Sequence, residues 1–159
     1  MSRSGKKICH IPEAFYKNIC AAIPIFCVDI VAEDSYGRFI LVRRKNNPAR
    51  GAWWVPGGRV HKNEQVAHAA VRKLKEETGL KGTFKRILGF YEFFSKKGPY
   101  KGIDVHTPIA VCLVQVHGAL RIRLDEQSEG FRWVTKPGQG MHPDLRRMTL
   151  LRGRQAKNA

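Results

Sequence analysis

Two adjacent glycines that run into a charged helical pattern constrain this chain more than any other feature. They open the range 57–80, and Gly79 ends the helical pattern within it. Glycines allow the backbone to turn sharply and to approach a ligand or ion closely. We therefore predict a turn after a short strand, followed by a helix over about residues 64–78. In this interpretation Asn63 is the N-cap, and Glu64 faces the positive end of the helix dipole.

The predicted helix carries two pairs of opposite charge at one-turn spacing. Arg72 is four residues before Glu76, and Lys73 is four residues before Glu77. Such pairs are typical of a solvated helix stabilised by salt bridges. Adjacent carboxylates near a tight glycine turn also provide the oxygen ligands that Mg²⁺ prefers. The preceding glycine turn favours the second interpretation.

The remaining pattern predicts a single mixed α/β domain in which helices cover a sheet. A basic arm (1–11) and a basic tail (153–159) flank the predicted domain at 12–152. The predicted helices, besides the one above, are at 12–22 and 141–152. The predicted strands are at 23–32, 38–45, 52–55, 82–95, 103–117, 120–124 and 130–134, and the first two form a hairpin.

Composition narrows the class of protein further. The chain has 159 residues, with 29 Lys and Arg against 13 Asp and Glu, for a formal net charge of +16. This charge favours anionic partners such as nucleotides, nucleic acid or an anionic surface. The apolar runs are too short to span a bilayer, so we exclude a membrane-embedded protein. The four cysteines contain no CxxC pair, and no apolar segment follows the basic N-terminus, so we expect a cytoplasmic protein without disulfide or zinc sites.

The charged helix and its glycine turn closely resemble the Nudix box, G-x5-E-x7-R-E-U-x-E-E-x-G-U, where U is aliphatic. Every fixed position matches except one, where Lys73 replaces a glutamate. The matching residues are Gly58, Glu64, Arg72, Leu74, Glu76, Glu77, Gly79 and Leu80. The resemblance implies the Nudix fold, an α/β/α sandwich around a mixed β-sheet. It also implies hydrolysis, dependent on Mg²⁺ or Mn²⁺, of a nucleoside diphosphate linked to another group.

Flanking residues resemble the GDP-mannose mannosyl hydrolase branch of that family. The similarity lies in the run 44–60, in the run 125–127 ahead of 131–133, and at Asp29. Members of this branch attack the sugar carbon and release GDP, and they form dimers. A nucleotide sugar is therefore the expected substrate, and a homodimer the expected assembly.

The resemblance also implies a role for each matching site residue. A divalent ion would be held by Gly57, Glu76, Glu77 and Gln127. Arg44 and Arg59 would neutralise the leaving diphosphate. Arg72 would orient the glutamates of the box, and Asp29 would contact the sugar.

Two departures keep other functions open. Ser128 stands where that branch has its basic histidine, and serine is a poor proton acceptor at neutral pH. Glu76 supplies a carboxylate that the branch can lack. Both changes favour conventional attack of water at phosphorus, as in a pyrophosphatase, with Glu76, Glu126 or Glu129 as base. His106, in a predicted strand, could replace the missing base or be structural.

The charge leaves a further alternative, an RNA-binding or RNA-end-processing member, although no RNA motif supports it. Lys73 adds a hypothesis about the metal. Its ammonium is expected within about one turn of Glu76 and Glu77 and could occupy the space of a second ion.

Overall fold

The computed structural model describes residues 11–152, so the predicted tail, and the predicted arm except Ile11, lie outside the described residues. The helices in this range are α1 (Glu13–Ala22), α2 (Val66–Thr78) and α3 (Pro143–Leu150). The strands are β1 (Cys27–Glu33), β2 (Phe39–Arg44), β3 (Trp53–Trp54), β4 (Gly57–Arg59), β5 (Lys81–Ser95), β6 (Val105–His117) and β7 (Ser128–Val134). None of these three helices is long and apolar enough to cross a membrane.

The described strands form one mixed sheet. Its central order is β3-β2-β1-β6-β5, with β4 paired to β1 and β7 paired to β2. β1 and β6 run parallel, and the other pairs are antiparallel. The predicted hairpin of β1 and β2 and the predicted mixed α/β class are therefore confirmed.

Apolar side chains alternate along the central strands, so each face of the sheet buries its own core. Ile30 of β1 and Ile40 of β2 belong to the cluster that contains Leu74 of α2. Leu41 of β2 belongs to the opposite cluster, with Leu145 of α3. Helices α2 and α3 thus cover opposite faces of the sheet, as an α/β/α sandwich requires.

The prediction of a strand at 120–124 is wrong. This segment runs past the C-terminal end of α2, where Arg123 N donates to Thr78 O (2.9 Å) and Asp125 N donates to Glu77 O (3.2 Å). The last carbonyls of a helix lack partners within the helix. Arg123 in the segment and Asp125 just after it satisfy two of them, so these backbone donors are engaged there rather than in the sheet.

The predicted start of α2 is also wrong. The helix begins at Val66, its N-cap is Gln65, and no side chain caps it. Asn63 has a φ of 63°, which places it in the preceding turn. Glu64 is held back from the helix because its carboxylate accepts bonds from Arg72 and from His61 N (2.9 Å). The predicted end is confirmed, since Gly79 adopts the left-handed conformation as C-cap.

Candidate active site

The short strand β4 brings the glycine turn directly against β1. Gly57 is the register partner of Asp29, and Gly58 is the partner of Val28. A Cβ at Gly57 would lie 2.4 Å from Val28 O and 2.6 Å from Asp29 Oδ1. Only glycine allows this close approach, so the turn fixes the backbone of residue 57 beside the Asp29 carboxylate.

A pocket of about 350 Å³ opens where β1, β4 and the loop after β2 meet. It gathers five of the residues that the sequence nominates: Asp29, Arg44, Gly57, Arg59 and Gln127. Arg44 is oriented by a bond from its Nε to Pro48 O at 2.8 Å. Glu77 is joined to the pocket wall by the bond that Gly57 N donates to its Oε2, at 3.2 Å. Glu76 and Arg72 lie outside this wall, on α2.

Asp29 is a buried carboxylate with two neutral donors. Tyr91 donates its hydroxyl to Asp29 Oδ2 at 2.6 Å, and Trp54 Nε1 donates to the same oxygen at 3.0 Å. Burial raises the pKa of Asp29 to about 6, although both hydrogen bonds and the charge of Arg44 oppose that shift. The residue is thus a carboxylate at neutral pH whose other oxygen, Oδ1, faces the glycine turn.

Two tyrosines and an arginine form the side of the pocket toward α1. The Tyr16 ring of α1 meets the Tyr100 ring edge-on, with centroids 6.4 Å apart. The Arg59 guanidinium lies over the Tyr16 ring, 4.9 Å from its centroid, an arrangement favourable for a cation. This wall offers flat aromatic surface next to a positive charge, which suits a nucleotide.

An ion pair between Arg72 and Glu64 connects α2 to the glycine turn. Arg72 donates to Glu64 through Nε (2.6 Å) and Nη2 (2.8 Å), and Nη2 also donates to Arg59 O (3.0 Å). Arg72 Nη1 reaches Glu76 Oε2 at 3.1 Å. The bonds from Arg72 lead the causes that lower the pKa of Glu64 to about 2. Arg72 therefore ties the turn to α2.

The second predicted pair, Lys73 with Glu77, lies closer to the pocket and is less completely hydrogen-bonded. Lys73 Nζ lies 2.9 Å from Glu77 Oε1 and 3.4 Å from Glu76 Oε2. Burial raises the pKa of Glu77 even though Lys73 and the Gly57 N–H oppose the shift. Desolvation lowers the pKa of Lys73, and the two carboxylates more than offset it, so that pKa ends above its usual value. Burial therefore opposes the charged form of both partners, and the buried Glu77 carboxylate is incompletely compensated.

The donors fit a divalent ion only if another molecule completes its coordination. Within residues 11–152, no group of three or more His, Cys, Asp and Glu side chains is arranged to hold a metal. Mg²⁺ is commonly bound by one or two carboxylates together with substrate phosphates. Glu77, Glu76 and the Gly57 carbonyl supply hard oxygens of that kind near the pocket that Arg44 and Arg59 line.

Several contributors to the site are missed by sequence reasoning. Tyr16 and Tyr100 come from a helix and a loop whose patterns give no sign that they meet. Tyr91 and Trp54 lie in predicted strands, and their local pattern gives no sign that both donate to Asp29. The nominated Ser128 is buried. His106 lines the pocket, and its Nε2 lies 2.9 Å from Glu92 Oε1.

The described range contains three of the four cysteines. Cys20, Cys27 and Cys112 are free, while Cys9 lies outside the described residues. Burial raises the pKa of the Cys27 thiol to about 12, so this pocket-lining cysteine is a weak nucleophile.

Comparison with known protein families gives one family over most of the chain. The model of the NUDIX domain matches residues 24–138. The chain is also similar to the low-salt glycan biosynthesis protein Agl8 of Haloferax volcanii. The two are 32% identical over 146 residues, which is 92% of this chain and 93% of the relative.

Two further similarities cover less sequence or show the fold alone. An ADP-ribose pyrophosphatase of Methanocaldococcus jannaschii is 44% identical over 68 residues, 43% of this chain and 40% of that protein. The crystal structure of a MutT protein from Methanosarcina mazei superposes with a TM-score of 0.66 at 21% identity. That match covers 86% of this chain and 99% of the other.

Proposed function

The chain belongs to the NUDIX family of hydrolases, which act on nucleoside diphosphate derivatives, and from this premise we propose that it hydrolyses a nucleotide sugar. GDP-mannose is the proposed substrate, with GDP and free sugar as products. The similarity to Agl8 supports this choice, since the name of that relative refers to glycan biosynthesis, a process that consumes activated sugars. We further propose that the enzyme works in the cytoplasm as a homodimer.

One observation carries the proposal: the same pocket holds two arginines and a buried carboxylate. Arg44 and Arg59 suit a diphosphate, because guanidinium groups bind phosphate oxygens through paired N–H donors. Asp29 would repel a phosphate but accepts hydrogen bonds from sugar hydroxyls. A substrate that satisfies both ends has a sugar joined to a diphosphate.

The proposed reaction places water on the sugar carbon. The new C–O bond forms as the bond between that carbon and the diphosphate oxygen breaks, and the proton of the water leaves to a base. Asp29 would stabilise the positive charge that develops on the sugar ring, as carboxylates do in other glycosyl transfers. Arg44 and Arg59 would bind the departing diphosphate. His106 is the imidazole that lines the described pocket and would accept the proton.

Mg²⁺ or Mn²⁺ is the proposed cofactor. Glu77, the Gly57 carbonyl and Gln127 would hold it, with Glu76 beside them. The ion would act as a Lewis acid that stabilises charge on the leaving diphosphate. The role of Arg72 is positional, because it fixes Glu64 and Glu76 rather than reaching the pocket.

Attack at phosphorus is the second candidate. Its specific support is Ser128, which is buried and carries no base at the position where the resembled branch has one. The similarity to an ADP-ribose pyrophosphatase over 68 residues is compatible with it. In that case Glu76, whose side chain is 49% exposed, is the available carboxylate base next to the metal ligands.

A substrate panel tests the proposal. GDP-mannose, GDP-glucose, ADP-ribose and a nucleoside triphosphate are incubated with Mg²⁺, and the products are separated by chromatography. We expect GDP and free hexose from the GDP-sugars. Formation of GMP and a sugar phosphate, or turnover of ADP-ribose alone, would contradict the proposal.

A further inference from the structure

The site already contains a cation, the ammonium group of Lys73. It contacts Glu77 Oε1 at 2.9 Å and Glu76 Oε2 at 3.4 Å, and the Lys73 side chain is 12% exposed. A buried ammonium between two carboxylates uses the oxygens that a divalent ion would need. We infer that Lys73 is the resident cation of this site and competes with divalent metal for these two carboxylates.

The backbone is shaped to hold this ammonium. A Cβ at Gly58 would lie 2.5 Å from Lys73 Cε and 3.2 Å from its Nζ. The second glycine of the turn therefore leaves the groove in which the end of the lysine side chain rests. Gly58 has a φ of +155°, which also favours glycine. The lysine is thus packed under the turn rather than extended into solvent.

Charge explains why the competition matters. Glu77 is buried, and the donors to its carboxylate are the Lys73 ammonium and the Gly57 N–H, so removing Lys73 leaves a poorly compensated negative charge. Such a charge attracts a divalent ion strongly. While Lys73 is present, a divalent ion must either displace its ammonium group or bind only the carboxylate oxygens that the ammonium does not contact. The wild-type protein therefore binds no more than one divalent ion per chain, and binds it weakly without substrate.

This inference rests on the proposed metal-dependent function, but metal binding without substrate tests it independently. Mn²⁺ binding is measured by the electron paramagnetic resonance signal of the free ion, with purified full-length wild type and three variants. Lys73→Gln removes the charge, and Lys73→Glu adds a ligand. Lys75→Glu is the matched control, because Lys75 is exposed on the same helix and makes no ion pair with a described residue.

We expect Lys73→Gln to bind Mn²⁺ at least about tenfold more tightly than wild type, because a positive charge next to the ion is removed. Lys73→Glu is expected to bind one additional ion per chain, whereas Lys75→Glu stays within about twofold of wild type. The inference is overturned if wild type already binds two ions per chain, or if Lys73→Gln binds no more tightly than wild type. Wild-type stoichiometry remains decisive even if a Lys73 variant does not fold.

The substrate panel and the Mn²⁺ titration test the two proposals independently of each other. A protein that turns over no nucleotide sugar but shows these Mn²⁺ affinities has the inferred resident cation and another substrate. A protein that hydrolyses GDP-mannose but has unchanged affinity in Lys73→Gln has the proposed function without the competition.

Discussion

Two ion pairs begin at neighbouring residues of α2: Arg72 with Glu64 is the first pair, and Lys73 with Glu77 is the second. Their side chains are similarly exposed, yet they differ in how completely each carboxylate is satisfied. Glu64 accepts two bonds from the Arg72 fork and one from a backbone N–H. Glu77 forms one ion pair with the Lys73 ammonium and accepts one hydrogen bond from the Gly57 N–H. The pKa of Glu64 falls to about 2, chiefly through its bonds to Arg72, whereas burial raises that of Glu77.

This difference assigns the two ion pairs different roles, one in stability and one in metal binding. A guanidinium fork matches a carboxylate geometrically and leaves few acceptor sites free, so the first pair holds the turn to the helix. An ammonium is a point charge on a flexible stem, so the second pair can exchange one cation for another. We expect substitutions in the first pair to act on folding, and those in the second to act on metal binding and catalysis.

The largest effect is expected for Glu77→Gln. Replacing the buried carboxylate with an amide removes the charge that would hold the metal, and kcat on GDP-mannose should fall on the order of 10³-fold. Glu76→Gln is the matched control, with a loss of about tenfold, because its side chain is half exposed to solvent whereas that of Glu77 is buried. Steady-state kinetics at saturating Mg²⁺ measure both. Full activity in Glu77→Gln would refute the metal assignment.

Breaking the first pair should cost stability instead. Arg72→Ala leaves Glu64 buried without its charged partner, so the free energy of unfolding should fall by about 3 kcal/mol. Arg72→Lys keeps the charge but loses the fork and should lie between. Lys73→Gln in the second pair should cost less, about 1 kcal/mol, because the glutamine amide can still donate a hydrogen bond to the buried Glu77 carboxylate. Equal losses for Arg72→Ala and Lys73→Gln in urea unfolding would show that the two ion pairs contribute equally to stability.

Acid should release the Glu64 pair. Its pKa is about 2 in the fold against an ordinary 4.5, so its stabilisation is present above pH 4.5 and is lost as the pH falls toward 2. Between pH 6 and pH 3 the contribution should fall by about 2 kcal/mol. Urea unfolding of wild type and Glu64→Gln at both values measures this. The two proteins should converge at the lower pH, and a constant gap would count against the ion pair.

The contribution of Asp29 to stability should depend on pH with the opposite sign. Its pKa is about 6 in the fold against an ordinary 3.8, so stability is full below pH 3.8 and is lost as the pH rises through 6. Asp29→Asn should therefore gain about 2 kcal/mol on wild type as the pH rises from 4.5 to 7.5, because the amide does not ionise. The amide is also a weaker acceptor for Tyr91 and Trp54, but that cost is the same at both pH values. Unfolding at both pH values tests this. A gap that shrinks with rising pH would contradict the burial argument.

Features with a strong local cause could be predicted from the sequence. The glycine turn, the C-cap at Gly79 and both one-turn charge pairs follow from spacing alone, and the structure contains all of them. The mixed sheet follows from the order of apolar segments. The start of α2 could not be predicted, since Arg72 holds Glu64 back from the helix across eight residues.

Contacts between distant segments explain the other gaps. Segment 120–124 has strand-like apolar spacing, but the open carbonyls at the end of α2 accept hydrogen bonds from the N–H groups of Arg123 and Asp125. The donors to Asp29 come from residues 25 and 62 positions away. Such partners depend on strand pairing, which local patterns do not specify.

Hydrolysis of GDP-mannose in ¹⁸O-labelled water tests the central claim most directly, because it identifies the atom that water attacks. Mass spectrometry of the products locates the label. Attack at the sugar carbon, supported by Asp29 and the paired arginines, predicts ¹⁸O in the released mannose and unlabelled GDP. Label in a phosphate group, with the sugar unlabelled, would contradict the account and assign the site to attack at phosphorus.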